Sequence, residues 1–171
     1  MAALDRMEVS DGDETVEVVL VRTARDEPGL VRALLDIDLQ SFAESTFSEH
    51  MAAALAAQAA VFLLRAQGRP IGSCVVLRGF EDPDEAVLLA MGVLPGWRGR
   101  GLGEWMLAGV NRELARNGFL SVVLHVDSRN QRAIKVYREA GFRTVREEAD
   151  PLEDGERRLL LRAMLRGDAE E

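Results

Sequence analysis

Several residue types are scarce in this chain, and each shortage removes a class of function. Cys74 is the only cysteine, so neither an internal disulfide nor a cysteine-based zinc cluster can form, as befits a reducing compartment. With His50 and His125 as the two histidines, a His-rich metal site is not expected either. Positive charge is in deficit: 21 Lys and Arg stand against 29 Asp and Glu, for a net charge of −8. A nucleic-acid partner, which asks for a basic face, is not expected. The longest apolar run, Met51 to Leu64, is broken by Gln58 and is too short to span a bilayer. No basic start precedes an apolar core, so no export signal is read and a cytoplasmic protein is expected. What is abundant is ordinary: 47% hydrophobic and 29% charged residues over 171 positions read as one globular domain with a full core.

Residues 1–14 are acidic and read as a mobile leader, with Met7 as an alternative start. Residues 166–171 read as a polar tail. Between them, residues 15–165 carry alternating strand and helix signals. Strands are expected at Thr15 to Thr23, Ala60 to Ala66, Ile71 to Arg78, Ala86 to Leu94, Leu120 to Val126, Phe142 to Glu147 and Arg157 to Leu165. Helices are expected from Pro28 to about Gln40, from about Ser48 to Gln58, from Leu102 for about fifteen residues, and from Asn130 to Ala140. Thr46 and Glu49 have capping-box spacing. The fold class is α/β: one mixed sheet of about seven strands with helices on both faces. A parallel crossover joins Ala86 to Val126, with ligands at the carboxyl end of its first strand.

That strand end carries the most informative stretch, Pro95-Gly96-Trp97-Arg98-Gly99-Arg100-Gly101-Leu102-Gly103. It packs four glycines and two arginines into the eight residues from Gly96 to Gly103. Glycine accepts positive φ and close approach, and the following helix offers unpaired N–H groups and the positive end of its dipole. Such a loop is suited to phosphate. It is not a Walker A loop, because Leu102 and Gly103 stand where Lys and Ser/Thr are needed. Nor is it a dinucleotide loop, since Glu104 replaces the third glycine.

Arg98-x-x-Gly101-x-Gly103 after a strand, followed by Asn130-x-x-Ala133-x-x-x-Tyr137-x-x-x-Gly141-Phe142, resembles the GCN5-related N-acetyltransferase (GNAT) family. Strand order supports the likeness from Val16 to Leu165. The resemblance implies direct attack of an amine on the thioester of acetyl-CoA. It implies that backbone groups from Arg98 through Gly99, Arg100, Gly101 and Leu102 to Gly103 hold the pyrophosphate, with the two arginines adding charge. It places a carbonyl-polarising N–H at Met91, Gly92 or Val93, with Gly92 permitting a bulge, and a cofactor contact at Asn130. Tyr137, the only tyrosine, matches the general acid. A phenol with pKa ~10 is protonated at neutral pH and can donate to a thiolate.

For the base, His125 occupies a position where the ribosomal-protein alanine N-acetyltransferase branch carries a glutamate, and an imidazole can do that work. Glu85 is a rival, as is water. Asp36 to Phe47 and Asp154-Gly155-Glu156 also resemble that branch, which makes a protein N-terminal α-amine the leading acceptor. A small-molecule amine and a non-catalytic acyl-CoA-binding regulator are the alternatives. Glu44 and Glu49 are candidates for recruiting the amine. Cys74 and Trp105 read as packing residues, and Trp97 takes a position where the family often has an aromatic. No metal is expected, and the chain is read as a monomer or homodimer.

Overall fold

The structure is a computed structural model describing residues 2–42, 47–151 and 155–165. Among these lie eight strands: β1 (Ala2–Asp11), β2 (Glu14–Arg22), β3 (Ala60–Ala66), β4 (Arg69–Arg78), β5 (Glu85–Val93), β6 (Ser121–Asp127), β7 (Arg143–Ala149) and β8 (Arg157–Met164). They form one sheet in the order β1-β2-β3-β4-β5-β6-β8-β7. Four helices accompany them: α1 (Leu30–Ser41), α2 (Glu49–Gln58), α3 (Leu102–Arg116) and α4 (Gln131–Glu139). The expected α/β class holds, with one strand more than the sequence suggests.

Alternation along the strands decides which helices cover which face. Val18, Leu20, Phe62, Leu64, Cys74, Val76 and Leu124 pack with Leu102, Met106, Val110 and Ile134 of α3 and α4. The opposite side chains, Val21, Val61, Leu63 and Val75, pack with Leu34 and Ile37 of α1 and Ala52 and Leu55 of α2. Each central strand is therefore apolar on both faces, as a sheet covered twice requires. The turn between β3 and β4 puts Gln67 at φ 50° and Gly68 at φ 76°. Two positive φ values in succession are what a two-residue hairpin needs to match strand twist.

The expected mobile leader is a correction. Its residues form β1, paired antiparallel to β2 with Asp5 opposite Leu20, Met7 opposite Val18 and Val9 opposite Val16. Opposed residues share a face, so Asp5, Met7 and Val9 look toward α3. Val9 is buried, and Leu4 and Met7 pack against the same core. The two-residue period is present but easy to miss, because acids share its inner face. Asp5 accepts from Trp105 Nε1 at 3.2 Å and from Arg112 Nη2 at 2.6 Å.

Thr46 and Glu44 lie outside the described residues, as does the 166–171 tail. The observed N-cap of α2 is Ser48, whose Oγ accepts from Met51 N at 3.2 Å. The carboxylate of buried Asp38 in α1 accepts from Phe47 N at 3.1 Å, tying the two helices together.

Candidate active site

β5 and β6 are the one parallel pair among the described strands, and they stay together for only three residues, Glu85–Val87 against Ser121–Val123. Beyond Val87 they part. The opening is a cleft of about 580 Å³, lined by the end of β5, the glycine loop, the first turn of α3, the cleft side of α4 and the last residue of α1. It lies at the carboxyl end of β5, where the crossover topology places a ligand.

The ladder shows which donors face this cleft. Leu94 N donates to Ile71 O at 2.8 Å. Antiparallel pairs alternate between bonded and non-bonded, so Gly92 and Ser73 form the next bonded pair. Met91 and Val93, opposite Cys74 and Gly72, then turn their N–H and C=O groups away from β4, toward the side β6 has left. Gly92 does not make the expected bulge. The register shift sits between Val75 and Val76, with Leu89 as the extra residue. Gly92 is small for a different reason: a Cβ there would lie 2.5 Å from Ser41 Oγ and 2.8 Å from Ser41 Cβ. The end of α1 is thus packed directly on β5.

The loop adds a second set of donors. Gly99 and Gly101 take φ 75° and 72°, and Gly101 is the N-cap of α3 with no side-chain cap. The first helical bond runs from Trp105 N to Gly101 O. The N–H groups of Leu102, Gly103 and Glu104 consequently have no intrahelical acceptor, and all three residues line the cleft.

Both loop arginines depart from expectation. Arg98 Nε donates to Val93 O at 2.8 Å and its Nη2 to Ser41 O at 3.3 Å. It fastens the loop to the strand end while still lining the cleft. Arg100 does not line the cleft. It turns to Asp11 (3.0 Å), to Gly96 O (3.2 Å) and over the Trp97 ring (4.9 Å). Cationic charge at the cleft comes also from Arg132 and Lys135 of α4, which the sequence reading missed. The signal was available: they fall three residues apart on the helix that carries Tyr137.

Asn130 caps α4, its Oδ1 accepting from Ala133 N at 3.1 Å, and borders the cleft. Tyr137 is also a wall residue, 8% exposed and set against Phe142 with ring centroids 5.7 Å apart. Burial first, then the neighbouring Cys74, pushes its phenol well above the ordinary range. Cys74 is fully buried, and burial raises its thiol from 9.0 to about 12. Both groups are held neutral, while an unfolded chain would ionise them from about pH 9 to 10. Above that range the unfolded state binds fewer protons, so stability falls with rising pH. The urea midpoint is therefore expected to decline between pH 9 and 12, and to decline less in a Cys74→Ala variant. An equal decline in that variant would show that the thiol contributes nothing.

The profile of the acetyltransferase (GNAT) family matches residues 28–142. This chain is a member of the GNAT acetyltransferase family. It is 29% identical over 116 residues to an uncharacterised N-acetyltransferase of Mycobacterium tuberculosis, covering 68% of this chain and 69% of the relative. In fold it is similar to the ribosomal-protein-S18-alanine N-acetyltransferase of Escherichia coli, with TM-score 0.76, 22% identity, and 90% and 97% of the two chains covered. A Bacillus subtilis acetyltransferase in complex with CoA gives TM-score 0.66 and 14% identity over 85% of this chain and 97% of that one.

Three expected residues of this GNAT domain stand away from the cleft wall. His125 lies on the face of β6 opposite Leu124 and Val126, exposed, with Nε2 2.8 Å from Glu148 Oε1. That hydrogen bond is the main reason the Glu148 carboxyl is held below its usual range, with charges on Arg146, His125 and Arg158 adding to it. Glu85 sits at the closed end of the β5–β6 pair, bound to Arg162 at 2.8 Å and accepting from Ser121 Oγ at 3.2 Å. Its carboxylate is occupied there, which removes the reason to think of it as a base. Glu49 borders a separate groove between α1 and α2. Trp105 packs against the core, as expected. No helix among the described residues is long and apolar enough to cross a membrane.

Proposed function

We propose that this GNAT domain transfers an acetyl group from acetyl-CoA to a primary amine, with a protein N-terminal α-amine as the leading acceptor. One observation carries the reading: two sets of unpaired backbone donors and a protonated, buried tyrosine face one cleft. The donors of Leu102, Gly103 and Glu104 suit a pyrophosphate, since a helix N-terminus favours anions. The edge of β5 at Met91 and Val93 suits the amides of the pantetheine arm, added like a further strand. An N–H of that edge can also stabilise negative charge on the thioester oxygen.

The chemistry then divides among few groups. The neutral amine attacks the carbonyl carbon, the C–S bond breaks, and Tyr137 gives its hydroxyl proton to the departing sulfur. A phenol is a weaker acid than a thiol in water, so the transfer relies on the dry site. Burial there raises a thiol as well, as Cys74 shows a strand away. The proton lost by the amine returns to the tyrosine through solvent. An α-amine with pKa ~7.7–8.0 is about a tenth neutral at pH 7, against less than about a thousandth for lysine. This favours an N-terminal acceptor.

His125 projects from the face opposite the α3/α4 side that holds Tyr137. His125 with Glu148 serves as the base only for an amine that arrives across that face, outside the cleft wall. His125→Ala is then expected to lower kcat about tenfold or more with CoA affinity unchanged. An unchanged kcat would assign the step to water. The leading reading is tested by thiol release with a panel of peptides and small amines. Release with peptides beginning in Ala or Ser supports it, and release with small amines alone points to a small-molecule enzyme. Acetyl-CoA binding without release would make the protein a regulator. The single cysteine, free and buried, fits a cytoplasmic setting.

A further inference from the structure

β1 reaches the glycine loop through one side chain. Its inner face runs Asp5, Met7, Val9, Asp11, and the two acids have different partners. Asp5 is tied to the body of α3, at Trp105 and Arg112. Asp11 is tied to the loop, at Arg100. The Arg100 guanidinium is three-quarters covered. Its Nη2 bridges Asp11 Oδ1 at 3.0 Å and Gly96 O at 3.2 Å, its carbon stands 4.9 Å from the centre of the Trp97 ring, and its Nη1 is buried without a partner. One guanidinium thus joins residues 96, 97 and 100, the entry and the middle of the loop, without itself lining the cleft.

We infer that Asp11 is a positioning residue for acyl-CoA binding, acting through Arg100 to hold the glycine loop in the shape that turns its N–H groups into the cleft. This rests on the proposed use of the loop for acyl-CoA. The physical argument is one of geometry. The two N–H bonds of Nη2 lie in the guanidinium plane, so they reach a carboxylate and a carbonyl together only when that plane is fixed. Here the carboxylate fixes it from one side and the indole from another. Removing Asp11 leaves Arg100 with one carbonyl and a ring face. It is then free to swing toward solvent, and Gly96 loses its anchor to the middle of the loop. A loop that must be ordered at the moment of binding binds more weakly. The chemistry at Tyr137, across the cleft on α4, does not depend on this clamp.

The test compares CoA dissociation constants by calorimetry and steady-state constants for acetyl-CoA in the full chain. Asp11→Asn is expected to weaken CoA about fivefold to tenfold and to raise KM for acetyl-CoA in parallel. kcat at saturation should stay within about twofold, and Asp11→Glu should recover much of the affinity. Arg100→Lys keeps the charge but loses the planar donor pair and the flat face on Trp97, and should match Asp11→Asn. The double variant should be little worse than either, because one clamp has been removed twice. Asp5→Asn loosens the same strand elsewhere, and CoA affinity is expected to be unchanged there. If the wild-type chain binds no CoA, the proposed function falls and the inference with it. If it binds CoA and Asp11→Asn binds equally well, the inference alone is overturned. An equal weakening by Asp5→Asn would also overturn it, since the effect would then be general loosening of β1.

Discussion

Tyr137→Phe is expected to lower turnover about 10²-fold or more while CoA binds as tightly as before. The substitution removes one oxygen and leaves the ring against Phe142 and the core beneath α4. Packing therefore changes little, and a large effect on kcat can be assigned to the proton. The raised pKa sets the pH dependence. A group whose ordinary value is near 10 and is pushed higher by burial stays protonated through the neutral range, so loss of the acid limits no part of the profile below about pH 10. The measurement is steady-state turnover with a peptide substrate, next to CoA titration of the same variant. Turnover within threefold of wild type would end the assignment of Tyr137 as the acid.

Gly103→Val is expected to weaken CoA binding about 10²-fold or more in a protein that remains folded. A Cβ on Gly103 meets nothing within 4 Å, and the residue has no positive φ. A side chain is therefore accepted by the fold and projects into the space the ligand needs. Losing two charge-assisted bonds from backbone N–H groups, each worth about 1.5–3 kcal/mol, weakens binding by about 10²-fold or more. Gly101→Val should have the same effect on binding with an added cost to stability, because φ there is 72° and a branched residue in that region is strained by about 1–3 kcal/mol. Gly118→Val carries comparable strain at φ 86°, at the far end of α3. It separates the two effects: a lower melting temperature with CoA affinity intact. CoA binding of normal strength in Gly103→Val would show that the loop is not the pyrophosphate site.

The central strands and helices α1, α3 and α4 were legible because their side chains obey one period each, whereas α2 was legible from its alanines and the cap spacing before it. The loop was legible because its glycines and arginines have a spacing that other phosphate loops lack. β1 was hidden by its chemistry. Asp5 and Asp11 look like solvent-facing acids in a row of letters, and only the fold brings Arg112 and Arg100 to them. The same blindness affected the arginines themselves. A sequence displays charge but not direction, and Arg98 and Arg100 spend theirs on backbone carbonyls and a carboxylate. Gly92 suggests a bulge in the sequence, but what its size serves is the approach of Ser41, fifty-one positions away. His125 was placed on the correct strand, yet strand parity alone could not say that it faces Glu148 and not the cleft.

Lys135 stands in the cleft wall, and it is the only lysine among the 171 residues. On the proposed amine acetylation, the chain therefore offers itself almost no side-chain amine to modify. Any slow self-acetylation within the chain is confined to that one ε-amine and the chain's own α-amine. The same economy turns Lys135 into a native reporter: an amine-selective reagent that reacts there should be slowed when CoA occupies the cleft, with no label introduced and no competing lysine to correct for.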